Sequence, residues 1–88
     1  MNMELSKTQQ QELVSEAAQI LHDAGIEPEI APVSAYLQSI GHEYALSWTF
    51  CFCVAVDVAN LNAKAEGYDN QYQRAWARIQ ERRASSNP

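Results

Sequence analysis

The chain has 88 residues, of which 47% are hydrophobic, and its eleven acidic and six basic residues give a formal net charge of −5. A chain of this length forms one domain, here 1–88, and has little wall to spare for the deep pocket of an enzyme. Its acidic balance repels phosphate and argues against direct binding of nucleic acid.

Charge and apolar stretches also bear on the location of the protein. Residues 1–63 contain eight acidic residues and one lysine, whereas 64–88 contain three acidic and five basic residues. The first dozen residues are too polar for the core of a signal peptide, and the uncharged stretch 44–56 is shorter than the roughly 20 residues that span a bilayer. We therefore expect a cytoplasmic protein without membrane contact, in which Cys51 and Cys53 are reduced.

The first predicted helix covers about 6–24. Ser6 with Gln9 three positions later fits a capping box, in which the two residues hydrogen-bond each other's backbone N–H. Apolar residues then recur at helical spacing: Leu13, Val14, Ala17, Ile20, Leu21 and Ala24. Gly25 suits a left-handed C-terminal cap.

A short second helix is expected after a connection that contains two prolines. Pro28 and Pro32 each favour an extended conformation in the residue before them, so 26–32 should be extended. Pro32 can occupy the first turn of a helix over 33–40. Gly41 would end that helix.

The segment 44–58 fits two structures. Its large apolar residues alternate with small or polar ones and include many β-formers, which is typical of a strand. However, the run is about twice the usual strand length, contains no turn residue and continues into the helix-prone segment 59–66. A helix over about 43–66 is therefore favoured, and a strand or hairpin within 33–58 is the alternative.

The last predicted helix covers about 69–84. Asp69 is a good N-cap, and apolar residues at helical spacing predict a stripe that packs in the core: Tyr72, Ala75, Trp76 and Ile79. Residues 84–88 should form a frayed tail. The predicted fold is an all-α bundle of three to four helices, or α+β if 33–58 forms strands.

No motif for catalysis, for a cofactor or for a metal ion is recognisable. Cys51 and Cys53 would point in nearly opposite directions on a helix, and His22 and His42 stand alone instead of in the paired spacings of a zinc site. Both histidines lie near predicted helix ends, where terminal capping and solvent exposure account for them. We expect no enzyme activity, no cofactor and no metal.

An acidic row is the first candidate interaction surface. Glu12, Glu16 and Asp23 lie on the polar face of the first helix. Glu27 and Glu29 follow in the connection. Because such a row attracts a basic protein surface, we name these five as candidate partner-binding residues.

A basic row lies on the last helix. Arg74, Arg78 and Arg82 are spaced four residues apart, and like charges at this spacing repel by a few tenths of a kcal/mol. An opposite charge should therefore lie near them. Candidates are Asp69 or Glu81, the acidic row of the same chain or of a second copy, and an external acidic partner.

Apolar residues on the more polar side of the third helix would be exposed. If 43–66 is helical, Phe50, Val54 and Leu61 lie there. Exposed apolar residues in a row mark an interface, so these three predict self-association as a homodimer.

In its small size, acidity and lack of catalytic motifs, the chain resembles in general character the inhibitor proteins that phages and mobile elements encode, such as anti-CRISPR and anti-sigma proteins. The resemblance implies a protein-binding module that inhibits or modulates a macromolecular partner by occluding a basic surface. The alternative is a structural or assembly subunit, or a chaperone, that acts through an apolar helix face.

Overall fold

The computed structural model describes residues 5–86, with the side chain of Ser86 excepted. Four helices follow one another along the chain: α1 Lys7–Asp23, α2 Ile30–Ser39, α3 Trp48–Ala65 and α4 Gln71–Ser86. The predicted all-α bundle is confirmed. No strand forms within 5–86, so the alternative of a strand or hairpin in 33–58 is wrong.

Helix α1 begins with the predicted capping box. The backbone N–H of Gln9 donates to Ser6 Oγ over 3.1 Å, and the backbone N–H of Ser6 donates to Gln9 Oε1 over 2.9 Å. The helix ends at Asp23, and Gly25 turns the chain with a φ of 72°. Glycine tolerates this left-handed conformation without steric cost.

Helix α2 begins at Ile30, three residues before the predicted start. Glu29 is the extended N-cap, with φ −129° and ψ 152°. Pro32 therefore occupies the third helical position, where its missing N–H has no helical partner to lose. The first turn thus accepts the proline, as expected, but the extended connection is shorter than 26–32.

Helix α3 begins at Trp48, five residues after the predicted start. Residues 42–47 form turns instead, and Ser47 is the N-cap because its Oγ accepts from the backbone N–H of Phe50. The carbonyl oxygen of Ala45 accepts from Ser34 Oγ at 2.7 Å and from Cys51 Sγ at 3.3 Å. These two bonds attach the turns to α2 and α3.

The core lies between α1, α2 and the central helix α3. Ten buried side chains form it: Ala17, Ala18, Leu21, Val33, Leu37, Ala45, Cys51, Val54, Ala55 and Val58. Beside it, His22 Nδ1 lies 2.6 Å from Asn62 Oδ1 and joins α1 to α3. Because an amide oxygen can only accept, the histidine nitrogen is the donor.

Helix α4 starts one residue later than the predicted N-cap implies. Asn70, not Asp69, is the capping residue, since its Oδ1 accepts from the backbone N–H of Gln73 over 3.0 Å. The helix continues to Ser86. The tail predicted for 84–88 is therefore helical as far as Ser86, and 87–88 lie outside the described residues.

The described molecule is elongated because α4 extends away from the other three helices. Its principal extents are 64 × 25 × 20 Å and its radius of gyration is 15.7 Å, against about 12 Å for a compact domain of this length. Helix α4 packs chiefly on α3. None of the helices within 5–86 is long and apolar enough to cross a bilayer.

Candidate functional site

The acidic surface of α1, defined here as Glu12, Glu16 and Asp23, lies opposite the core. At about 100° per residue the three side chains fall within ~40° of one another, and ~16 Å separates the first from the last along the helix axis. All three are exposed. The amide nitrogen of Gln19 donates to Asp23 Oδ1 at 2.9 Å, so a polar side chain continues the same face.

The structure does not place the two other predicted acidic residues in that row. Glu27 lies in the connection between α1 and α2, and Glu29 caps α2 without a side-chain hydrogen bond to the helix. Glu29 lines a cleft of about 180 Å³ together with Phe52 and Val56 of α3. Both glutamates are exposed, but only the three residues of α1 share one face.

The acidic surface is not neutralised within the described part of the chain. Among residues 5–86, no lysine or arginine lies within 4.0 Å of any of the five predicted carboxylates, because the ion pairs found there both involve Glu66. Residues 5–65 contain seven acidic and two basic residues, a formal charge of −5. The negative field of this surface therefore acts outward on solvent and on approaching molecules.

Helix α4 packs on α3 through its polar side. The half-buried residues of its first two turns are Gln71, Arg74 and Ala77. The backbone N–H of Gln71 donates to Asn60 Oδ1 at 3.0 Å, and Arg74 Nε lies 2.5 Å from Glu66 Oε2. This last nitrogen is inaccessible to water and makes no hydrogen bond of suitable direction, so the contact is an ion pair only.

The apolar side of α4 faces solvent. Tyr72, Trp76 and Ile79 are 76%, 59% and 45% exposed, and Ala75 is exposed too. The prediction that these four residues form a core stripe is wrong. The reason is that α4 meets α3 with the side that carries Arg74, which turns Trp76 by about 160° away from the contact. We call Tyr72, Trp76 and Ile79 the apolar stripe of α4.

The basic row of α4 is partly paired within the chain. Glu66, at the end of α3, lies 2.5 Å from Arg74 and its Oε1 lies 3.7 Å from Arg78 Nη2. Glu66 was not among the candidates predicted from the sequence. Its position only eight residues before Arg74 was the one sign that it could pair with the basic row. Arg82 has no carboxylate within 4.0 Å among the described residues and lies beside Glu81 in a shallow surface depression.

The residues predicted for self-association are not an exposed row. Val54 is 0% exposed and belongs to the core, and Phe50 and Leu61 pack against the core from its edge. The prediction of their exposure is wrong because α3 directs this side toward α1. The exposed aromatic pair of α3 is instead Trp48 and Phe52, whose rings stack 5.4 Å apart.

The cysteines and histidines do not converge. Cys51 is buried and Cys53 is exposed, in keeping with their opposite directions on α3. His42 stacks on Phe50 with ring centroids 5.0 Å apart, and both His22 and His42 are half-buried, so their predicted solvent exposure is wrong. Within 5–86 no group of three or more potential metal ligands occurs.

Comparison with known proteins identified no relative. No family model, no curated protein and no solved structure matches this chain.

Proposed function

We propose that the protein is a binding module that inhibits or modulates a protein partner by covering a basic surface of that partner. The observation that supports this is the acidic surface of α1. Glu12, Glu16 and Asp23 are exposed on one face, opposite the core, and no cation of the described residues pairs with them. Such carboxylates are available to an external cationic surface.

Charge would act mainly on the encounter of the two proteins. Complementary surfaces raise the association rate and select against wrong partners. Dissolved ions screen the attraction between exposed charges, and at physiological ionic strength the screening length is about 8 Å, which is shorter than the acidic surface. Salt should therefore weaken the complex. Inhibitors of the kind that phages and mobile elements encode would act in this way in the cytoplasm of a host.

The experiment uses two variants with the same change of net charge. Glu12→Lys/Glu16→Lys reverses two charges on the acidic surface, and Glu43→Lys/Glu81→Lys reverses two exposed charges elsewhere. Each is used to capture proteins from a host lysate at low and at high salt. We expect the first variant to lose at least 10-fold of the captured basic protein and the second to retain it. Equal capture by both variants at low salt would refute the proposal.

A second function is supported by a different observation, the exposed apolar stripe of α4. An assembly subunit acts by burying an apolar helix face in another molecule, and the largest exposed apolar side chains of α4 form such a face. Trp76→Gln separates the two functions. It should abolish assembly through α4 and leave binding through the acidic surface unchanged, whereas Glu12→Lys/Glu16→Lys should do the reverse.

A further inference from the structure

A polar groove runs along the seam between α1 and α3. Two adjoining cavities of about 470 and 270 Å³ form it, and Ser15 and Asp57 line both of them. Its walls include three side chains of each helix: Gln11, Ser15 and Gln19 of α1, and Cys53, Asp57 and Asn60 of α3. From Gln11 to Gln19 the groove is about 12 Å long. We call it the α1–α3 groove.

Asp57 lies midway along this groove and is half-buried. Within residues 5–86 its carboxylate has no cation within 4.0 Å and no hydrogen-bond partner. Partial removal of a carboxylate from water is unfavourable unless a cation or hydrogen-bond donors compensate it. Asp57 is therefore suited to a cation that comes from outside the described part of the chain.

The acidic surface of α1 borders the groove. Gln19 belongs to both, because it lines the groove and its amide nitrogen donates to Asp23 Oδ1 at 2.9 Å. We infer that the groove receives an arginine-containing segment of the protein partner, with one guanidinium on Asp57 and further cations on Glu12 and Glu16. This inference rests on the proposed inhibitor function and states which kind of segment of the partner is bound.

The chemistry of the walls favours arginine over an apolar anchor. The side chains around Asp57 include amides and a hydroxyl, and their oxygens accept hydrogen bonds. A guanidinium has five donors in a planar fork, so it can donate to the carboxylate and to neighbouring amide oxygens together. An apolar side chain in the same place would exclude water from Asp57 and offer no charge in return.

Lys64 limits the groove at its far end. Among the described residues that line the two cavities it is the one cation, and it lies seven residues after Asp57, about 10 Å along the helix. Lys64 is exposed. It would gain little by reaching back to Asp57, because such a pair costs side-chain freedom. Since Lys64 repels a second cation, the bound segment should lie toward the beginning of the two helices.

A titration followed by backbone amide NMR tests the site on the purified chain. The probe is acetyl-hexaarginine amide, and the uncharged control is the citrulline peptide of the same length. We expect the arginine peptide to shift the amide signals of both walls and the citrulline peptide to shift neither. Asp57→Asn should weaken binding about 10-fold. Asp69→Asn removes the same charge from an exposed turn and should leave binding unchanged.

A second pair of variants separates the groove from charge alone. Ser15→Phe fills the groove where the two cavities meet and changes no charge. Ala35→Phe places the same ring at an exposed position of α2. We expect Ser15→Phe to weaken binding of the arginine peptide several-fold and Ala35→Phe to leave it unchanged. Circular dichroism checks that both variants remain helical.

The stability of Asp57→Asn distinguishes a binding residue from a structural one. Because Asp57 has no partner among the described residues, its neutralisation should leave the urea midpoint unchanged or raise it. A lowered midpoint that Lys64→Gln reproduces would show that Lys64 is the partner of Asp57, and the inference would then be wrong.

Three further results would overturn the inference. These are equal binding of the arginine and citrulline peptides, shifts confined to the acidic surface, and equal effects of Asp57→Asn and Asp69→Asn. Self-association of the wild type that Asp57→Asn abolishes would assign the groove to the basic row of a second copy instead.

Failure of the groove and failure of the acidic surface give different results. Loss of the captured lysate protein by Glu12→Lys/Glu16→Lys, without binding of the arginine peptide in the groove, would refute the groove and leave the inhibitor function standing. Binding of the peptide that depends on Asp57, with equal capture from lysate by both charge-reversal variants, would support the groove and refute that function.

Discussion

Helices α3 and α4 have similar lengths, 18 and 16 residues, and both are amphipathic, yet they use their apolar sides differently. Helix α3 buries Cys51, Val54 and Val58 at the centre of the core, whereas none of residues 71–85 is buried. An apolar stripe therefore indicates that one side of a helix is suited to burial. It does not indicate whether the same chain or another molecule buries that side.

The difference arises from the contacts that fix each helix. Helix α3 lies between α1 and α2, so its apolar side meets two other apolar sides. Helix α4 follows a short turn and is held by Asn60 and by Glu66, which are polar. The orientation of α4 therefore follows from its polar contacts with α3, whereas the orientation of α3 follows from the burial of its apolar side.

Replacement of equivalent apolar residues in the two regions should give the largest contrast. Leu37→Ala removes a fully buried side chain and should lower the free energy of unfolding by about 2–5 kcal/mol. Ile79→Ala should change it by less than about 0.5 kcal/mol, because α4 contributes no side chain to the core. Urea titrations at low protein concentration measure both. A similar cost for the two variants would mean that α4 packs in the core after all.

A smaller contrast is expected for hydrogen bonds of side-chain amides. Asn62→Ala leaves the half-buried Nδ1 of His22 without its partner and should cost about 1–3 kcal/mol. Gln19→Ala removes an amide that donates to Asp23 on the exposed side of α1, where water replaces the lost bond. Its cost should be below about 0.5 kcal/mol. If the two variants unfold at the same urea concentration, the bond between α1 and α3 adds nothing to stability.

Local signals in the sequence were sufficient for the four helices and for both ends of α1, but not for the start of α3. The capping box of Ser6 and Gln9 and the glycine at 25 fixed both ends of α1, because each satisfies backbone groups of that helix alone. The start of α3 was missed by five residues. Its N-cap, Ser47, lies in an apolar run that favours a helix but also fits a strand. The turns before it are held by hydrogen bonds from Ser34 and Cys51, which lie outside those turns.

The side chains that share an exposed surface were predicted only where the spacing along a single helix decides the matter. Glu12, Glu16 and Asp23 share a face because helical geometry places them there. The sides of α3 and α4 depend instead on which neighbour each helix meets. Val54 was therefore assigned to the exterior and Trp76 to the interior, and the structure reverses both assignments.

The N-caps of the two helices offer a third contrast of about 1 kcal/mol. Ser47→Ala removes the cap of α3 and should lower the global free energy of unfolding by about 1 kcal/mol. Asn70→Ala removes the cap of α4. Because α4 is not part of the core, this loss should speed amide hydrogen exchange in residues 71–85 without moving the urea midpoint. A lowered midpoint for Asn70→Ala would show that α4 unfolds together with the core.

The smallest expected effect concerns the ion pairs that hold α4 on α3. Glu66→Gln removes the carboxylate shared by Arg74 and Arg78, and since the Glu66 side chain is 43% exposed, the change in global stability should stay below about 1 kcal/mol. Amide exchange in 71–85 should rise several-fold at low salt and less at high salt, because salt already screens the pair in the wild type. Asp69→Asn, in the same turn but without an ion pair among the described residues, is the matched control and should leave exchange unchanged. If both variants behave alike, the orientation of α4 depends on the Asn60 bond and the half-buried Ala77, and the outward apolar stripe would persist without the charge contact.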